Sequence, residues 1–98
     1  MKELLNQKVI VRGDRSGVFF GTLAEKEGKE VKLENCRRLW YWGGAASISQ
    51  IAAEGVKKQE KCKFTVAVSN IIITDAIEII LCTEQAIENI EGVEEWKM

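Results

Sequence analysis

The feature that most restricts the fold of this chain is a series of short β-branched or alternating runs separated by short polar connections. The clearest run is Glu30–Glu34, in which polar and apolar residues alternate with period two, as they do in a strand buried on one face. Further strands are predicted at Lys8–Arg12, Val18–Leu23 and Cys36–Trp42, with Gly21 at a bulge or a close backbone contact. Because consecutive runs are so closely connected, the sequence predicts an antiparallel meander.

Three more runs in the second half of the chain are typical of strands. They cover Lys63–Val68, Asn70–Thr74 and Ala76–Leu81, and the Ser69-Asn70 pair is predicted to break the first two apart. Val93–Lys97 is predicted to be a short final strand or a frayed tail. Counted together, these runs predict about six to seven strands.

Two short helices are indicated by capping signals. Ser47 is followed three residues later by Gln50, which is the pattern of a capping box, and the helix predicted over Ile48–Glu54 ends at a glycine. Thr83 is the predicted N-cap of a second helix, which has an apolar stripe and ends at Gly92. The sequence therefore predicts an α+β fold, a small β-rich domain with an antiparallel meander and two short helices.

The composition excludes several classes of function. The 98 residues carry 14 basic and 15 acidic side chains, so a generic DNA-coating protein, which is basic, is not expected. The chain has no histidine, which is the commonest member of Ser-His-Asp and Cys-His catalytic sites and a common zinc ligand. We therefore expect a single domain over residues 1–98 that is not an enzyme and that uses neither a cofactor nor a metal.

A cytoplasmic location is expected. No apolar run approaches the roughly 20 residues of a membrane span, and Met1–Lys8 lacks the pattern of a secretory leader. The three cysteines, Cys36, Cys62 and Cys82, are odd in number and form no CxxC pair, which favours a reducing compartment. We expect them to be small buried hydrophobic residues.

The segment Arg37–Ser49 is the most informative one for function. Because side chains alternate along a strand, Arg38, Trp40 and Trp42 are predicted to share one face, where a guanidinium beside two indoles can bind phosphate and stack a base. The following Gly-Gly pair permits close backbone approach and leads into a helix start, whose free N–H groups attract anions. The predicted ligand-binding residues are Arg37, Arg38, Trp40, Tyr41, Trp42, Gly43, Gly44, Ser47 and Ser49, with Arg12 and Arg15 as accessory residues.

Simpler interpretations of the same residues stay open. The tryptophans can be core residues, the Gly-Gly pair can be only a tight turn, and the arginines can pair with acidic side chains of the chain itself. The Gly-Gly-Ala-Ala-Ser run matches neither a P-loop nor a dinucleotide-binding fingerprint. Which face of the predicted strand Cys36–Trp42 is exposed decides whether these residues form a ligand site or part of the core.

Several motifs also carry a resemblance to a known family. Val31–Ser47, Cys62–Phe64 and Glu78–Thr83 resemble a family of small uncharacterised proteins from bacteriophages and prophages. The resemblance implies a phage accessory protein in the host bacterial cytoplasm, a class that often counters host immunity, and it transfers no functional residues. The runs Gly17–Leu23 and Gly28–Leu33 are loosely similar to Sm-like and SH3-like barrels, a likeness of fold that carries little about function.

These observations favour a binding function. The predicted protein is a homo-oligomer that binds and sequesters a small anionic, nucleotide-derived ligand, as an anti-defence sponge for cyclic nucleotide or cyclic ADP-ribose signals. The absence of histidine favours capture over turnover. The first alternative is a protein-interaction module that inhibits a host defence protein, because the same aromatic and arginine residues are typical of interface hot spots. The second alternative is a binder of RNA or another single-stranded nucleic acid.

Overall fold

Six strands and two helices make up the part of the chain that the computed structural model describes, residues 2–98. The strands are β1 (Lys8–Gly13), β2 (Val18–Glu27), β3 (Glu30–Tyr41), β4 (Lys63–Phe64), β5 (Val68–Ile73) and β6 (Ala76–Leu81). The helices are α1 (Ile48–Glu54) and α2 (Glu84–Glu91), and 3₁₀ turns cover Lys2–Leu4 and Gln59–Lys61. The predicted fold class, a small β-rich α+β domain with two short helices, is confirmed.

The sheet curls because a two-residue connection joins β5 and β6, which lie at opposite ends of it. Its order is β4-β3-β2-β1-β6, and β5 pairs with β3 beside β4. Thr74 and Asp75 alone separate β5 from β6, although the two strands pair with opposite sides of the β1–β2–β3 meander. The Asp14 N–H also donates to the Asp75 carbonyl over 2.8 Å. This contact places the β5–β6 turn against the loop between β1 and β2.

The curled sheet has an apolar core on each face. One core is formed by strand residues alone and contains Val9, Val11, Phe19, Leu23, Val31, Leu33, Cys36, Ile73 and Ala76. The core between the sheet and the helices contains Ile10, Phe20, Leu39, Ile51, Ala52, Val56, Phe64, Cys82, Ala86, Ile90 and Val93. Successive residues of β1 enter different cores because strand side chains alternate, so this strand is a continuous apolar run. Within residues 2–98, no helix has the length and apolar character that a membrane crossing requires.

One long strand, β3, stands where the sequence predicts two strands at Glu30–Glu34 and Cys36–Trp42, so that prediction is wrong. Asn35 adopts a φ of 50°, a left-handed conformation that asparagine tolerates better than most residues. The residues on either side of it stay in the sheet, and the pairing with β2 shifts by one residue opposite Gly21. A Cβ on Gly21 would lie 3.0 Å from the Glu34 carbonyl oxygen, which confirms the predicted close contact.

The strand boundaries of the second half also differ from the prediction. β4 is only Lys63–Phe64, whereas the sequence predicts a strand up to Val68. The reason is that β3 pairs with β4 at its end and with β5 over 31–36, so the chain at 65–67 has to pass between the two pairings. β5 continues through the predicted break at Ser69-Asn70. Val93–Lys97 contributes a single parallel bridge, between Glu95 and Phe64.

Both helices follow their capping signals. The Ser47 hydroxyl accepts a hydrogen bond from the Gln50 N–H over 3.2 Å, and Gly55 ends α1 with a φ of 83°. The Gln50 side-chain oxygen accepts the N–H of Ala46, one residue before the N-cap, so the capping box is shifted by one residue. In α2, the Thr83 hydroxyl accepts the N–H of the third helical residue. The predicted bounds of α1 are confirmed.

Candidate functional site

The end of β3 and the loop between β1 and β2 form a shallow groove of about 260 Å³. Its lining residues are Ser16, Gly17, Val18, Arg38, Leu39, Trp40 and Trp42. We refer to this site as the aromatic groove. It brings together the arginine and the two tryptophans that the alternation of β3 predicts on one face. A larger cleft of about 490 Å³ beside the helices is lined mainly by charged and amide side chains and contains no aromatic residue.

Arg38 is held in the aromatic groove from two sides. Its Nη1 donates to the Ser16 carbonyl over 2.7 Å, and its guanidinium carbon lies 4.5 Å from the centroid of the Phe19 ring. A guanidinium has five N–H donors. Within residues 2–98, the Ser16 carbonyl is the one acceptor of this side chain, so further donors remain for a ligand. The side chain is thus both oriented and available.

The loop that forms one wall of the groove is held in place by Asp75. The carboxylate accepts the Ser16 hydroxyl over 2.6 Å and the backbone N–H groups of Arg15 and Ser16 over 2.8 and 3.1 Å. These hydrogen bonds, the one from the Ser16 hydroxyl above all, lower the pKa of Asp75. Since Ser16 also supplies the acceptor for Arg38, Asp75 positions the arginine through the loop.

The three aromatic residues at the end of β3 differ in their surroundings. Trp40 is 63% exposed and offers an open indole face in the groove. Trp42 is half-buried and packs against the core beneath the helices. Tyr41 is 56% exposed but does not line the groove, and it pairs instead with Lys63 on β4. Trp40 is therefore the available stacking surface, and Trp42 is a fixed wall.

Arg37 lies on the other side of β3 and has a different role. It is 6% exposed, and its guanidinium donates to the carbonyls of Phe64, Thr65 and Ile90 over 3.1, 2.9 and 2.8 Å. Burial lowers the pKa of Arg37, and Glu95 opposes that shift. These contacts join β3 to β4 and to the end of α2. Arg37 therefore holds the fold together and is not part of the aromatic groove.

The Gly-Gly segment approaches another part of the chain. Gly44 has a φ of 83°, its carbonyl accepts the Lys57 N–H over 3.1 Å, and a Cβ there would lie 2.4 Å from the Lys58 nitrogen. On Gly43, a Cβ would meet the Lys61 side chain at 3.1 Å. Ser47 caps α1, and the exposed Ser49 belongs to that helix. None of these four site candidates lines the aromatic groove.

The two accessory arginines are placed differently. Arg12 forms an exposed ion pair with Glu78 of β6 over 3.1 Å, outside the aromatic groove. Arg15 is exposed on the loop next to Ser16, which lines the groove. Arg15 therefore adds positive charge close to the groove, whereas the charge of Arg12 is paired elsewhere.

The cysteines are free thiols. Cys36 and Cys82 are buried, as predicted, and burial raises the pKa of each to about 12. Cys62 is half-buried, and its thiol lies 3.8 Å from the Gly43 carbonyl oxygen. Burial also raises the pKa of Cys62. Among residues 2–98, no group of three or more Cys, Asp or Glu side chains is placed to hold a metal ion.

A family model matches a stretch of the chain that contains every residue lining the aromatic groove. Residues 6–90 match the family described as a domain of unknown function, DUF6948. The chain belongs to this family. No curated protein and no solved structure matches this DUF6948 chain. The matched region includes β1 to β6 and ends within α2, so Trp96 lies outside it.

Sequence reasoning identified the aromatic side of the groove and missed the opposite wall. Ser16 and Gly17 belong to a polar turn in the sequence and Val18 begins the next predicted strand, and nothing local shows that β3 lies beside them. Asp75 is separated from Ser16 by 59 residues. An aspartate between two strands is typical of a turn. That pattern does not reveal which distant N–H groups the carboxylate accepts.

Proposed function

We propose that this chain is a non-enzymatic binding protein that captures a flat, anionic, nucleotide-derived ligand in the aromatic groove. The observation that carries the proposal is the juxtaposition of the exposed indole of Trp40 with the available donors of Arg38. A base stacked on an aromatic side chain gains about 1–3 kcal/mol. A guanidinium binds phosphate oxygens through paired hydrogen bonds. The groove thus offers one contact for each of the two chemically different parts of a nucleotide.

The size of the groove limits what one copy of the chain encloses. Its volume of about 260 Å³ lies just below the roughly 300–1,000 Å³ that is usual for small-molecule sites. One groove suits a base and its neighbouring phosphate, and a cyclic di- or trinucleotide needs more surface. A homo-oligomer that brings two or more grooves to one ligand meets that need.

The biological role we propose is sequestration of a signal. The resemblance to small phage and prophage proteins supports an accessory protein of the host bacterial cytoplasm that acts as an anti-defence sponge. The lack of histidine supports capture without turnover.

Nucleotide titrations test the binding proposal. In a Trp96→Phe background, quenching of Trp40 and Trp42 is measured with mononucleotides, cyclic di- and trinucleotides and cyclic ADP-ribose isomers. At 100 times its Kd, a ligand stabilises the folded state by about 2.7 kcal/mol. This corresponds to a rise in Tm of about 10–20 °C. If no compound in the panel changes either the fluorescence or the Tm at saturating concentration, the proposal is wrong.

Matched arginine variants locate the site. Arg38→Ala is expected to weaken a phosphate-bearing ligand by about 10- to 100-fold, the value of one or two charge-assisted hydrogen bonds. Arg12→Ala removes an equal charge from an exposed position outside the groove and is expected to leave the Kd unchanged. Equal losses in the two variants would show that general positive charge, and not the groove, attracts the anion.

The exposure of Tyr41 favours a second candidate, a protein-interaction module that inhibits a host defence protein. Trp40 and Tyr41 are adjacent, both more than half exposed, and of a type enriched in interface hot spots. Because Tyr41 lies outside the groove, Tyr41→Ala is expected to abolish capture of a stoichiometric host protein while leaving nucleotide quenching intact. Binding to RNA, the remaining alternative, would instead give a gel shift that weakens steeply with salt.

A further inference from the structure

We infer that two copies of this chain pair through the open edge of β6. Within residues 2–98, β6 pairs with β1 alone, and β5 pairs with β3 although it directly precedes β6. One edge of β6 therefore faces no other strand, and such an edge is a template for a further strand. This inference is independent of the ligand and specifies the surface for the homo-oligomer of the proposed function.

The hydrogen-bond pattern shows which groups the open edge presents. The Cys82 N–H donates to the Lys8 carbonyl over 3.1 Å, so this residue directs its backbone groups toward β1. Backbone groups of successive residues in an antiparallel strand point to opposite edges. Ile79 and Leu81 are in the alternate positions and therefore direct their N–H and C=O groups to the open edge.

The side chains along this edge are apolar and incompletely covered. Leu81 is 51% and Ile77 is 47% exposed, and Ile79 is half-buried in the same row. A cavity of about 450 Å³ runs beside Ile77 and Ile79, lined by Leu4, Lys26, Gly28, Lys29, Ala76, Ile77, Glu78 and Ile79. Natural edge strands are protected by proline, by charged side chains, by β-bulges or by a covering helix or loop. The chain has no proline, and the one charged residue of β6, Glu78, is paired with Arg12.

A second copy fits this edge when the two β6 strands run antiparallel about a two-fold axis at Ile80. Ile79 and Leu81 of each copy then lie opposite Leu81 and Ile79 of the other, so their edge-facing backbone groups pair and their side chains form an apolar row. Glu78 lies opposite Cys82 in this register. The two Glu78 carboxylates therefore do not face each other, which avoids the cost of opposed like charges.

The charges at the ends of this arrangement are complementary. In the same register Ala76 lies opposite Glu84, the first residue of α2. The Ala76 N–H donates to the Lys29 carbonyl over 3.0 Å, and Lys26 lines the same end of the cavity. The lysine-lined end of each copy thus meets the acidic helix start of the other. This complementarity favours a second copy of the chain as the occupant of the edge.

Light scattering coupled to gel filtration tests the dimer. The wild-type chain is expected at twice the monomer mass of 11.0 kDa. Leu81→Lys places a charge in the apolar row and is expected to raise the dimer Kd by about 30-fold or more, as the loss of a hot-spot contact does. Ile72→Lys is the matched control, since Ile72 is 61% exposed on β5. A monomeric wild-type chain, or a dimer that only Ile72→Lys disrupts, would overturn the inference.

A charge reversal tests the register with two exposed side chains. Lys29→Glu and Glu84→Lys are each expected to weaken the dimer roughly three- to tenfold, since two symmetry-related pairs are lost. The double variant is expected to restore the wild-type Kd. Additive weakening in the double variant would rule out this pairing. The measured mass tests dimer formation, and fluorescence quenching tests ligand binding. The failure of one proposal is therefore distinguishable from the failure of the other.

Discussion

Replacement of Arg37 by methionine is expected to destabilise the fold strongly. Methionine keeps an unbranched apolar side chain and removes every donor of the guanidinium. Three carbonyls, those of Phe64, Thr65 and Ile90, lose a hydrogen bond within 3.1 Å. The contact between the guanidinium and the Phe64 ring, 5.6 Å from its centroid, is lost as well.

The magnitude follows from the burial of these groups. The Phe64 and Ile90 carbonyls keep a second donor, the N–H groups of Trp96 and Val93 at 2.8 and 3.1 Å, so neither is orphaned. Each lost hydrogen bond costs about 0.5–1.5 kcal/mol, and the loss of the ring contact adds about 0.5–1 kcal/mol. The Thr65 bond is only partly buried, so water compensates part of that loss. We therefore expect the free energy of unfolding to fall by about 2–4 kcal/mol. At about 4–8 °C per kcal/mol, Tm falls by roughly 10–30 °C.

Urea unfolding followed by circular dichroism measures this loss, and Arg38→Met is the matched control. The Arg38 guanidinium has one hydrogen bond, to an exposed carbonyl, and lies over Phe19, so its removal should cost only about 1 kcal/mol. The reasoning fails if the free energy of unfolding of the Arg37→Met variant lies within about 1 kcal/mol of the wild-type value. It also fails if the two substitutions are equally destabilising.

Three further predictions concern the turns and the thiols. Gly44→Ala is expected to cost about 2–4 kcal/mol by urea unfolding, because of its φ of 83° and the 2.4 Å clash, whereas Gly28→Ala, at a φ of 59° in open space, should cost about 1–2 kcal/mol. The lowered pKa of Asp75 means that its stabilisation is present above its ordinary value of 3.8 and is lost as pH falls below it. Asp75→Asn should therefore flatten the acid limb of a plot of Tm against pH, and an unchanged limb would contradict this. In native protein, the thiols of Cys36 and Cys82, with pKa values of about 12, should react with a thiol reagent more slowly than the third cysteine, and equal rates would contradict their burial.

The local elements of this fold were predictable because their signals are local. Helix α1 begins at the hydroxyl of Ser47 and ends before Gly55, where the sequence predicts both limits. Strand β6 also has its predicted bounds. The two strands predicted around Asn35 are one strand, because a single left-handed residue can be absorbed when its neighbours remain paired on both sides.

The candidate site was only partly predictable for a related reason. Alternation along β3 correctly grouped Arg38, Trp40 and Trp42, since that grouping depends only on the geometry of a strand. It could not show which arginine is buried. Arg37 is enclosed because β4 and the end of α2 cover its side of β3, and those elements come from other parts of the chain.

The sequence by itself determined the strand-rich character, the two capped helices and the set of side chains that share a face of β3. These depend on residues within a few positions of one another. The tertiary structure decided which face is open, that Asp75 holds the loop beside Arg38, and that the Gly43-Gly44 pair packs against the chain's own 57–61 segment. Those outcomes depend on contacts between segments that are distant in the sequence. Such contacts form only when the curled sheet closes around its cores, and no short sequence pattern predicts them.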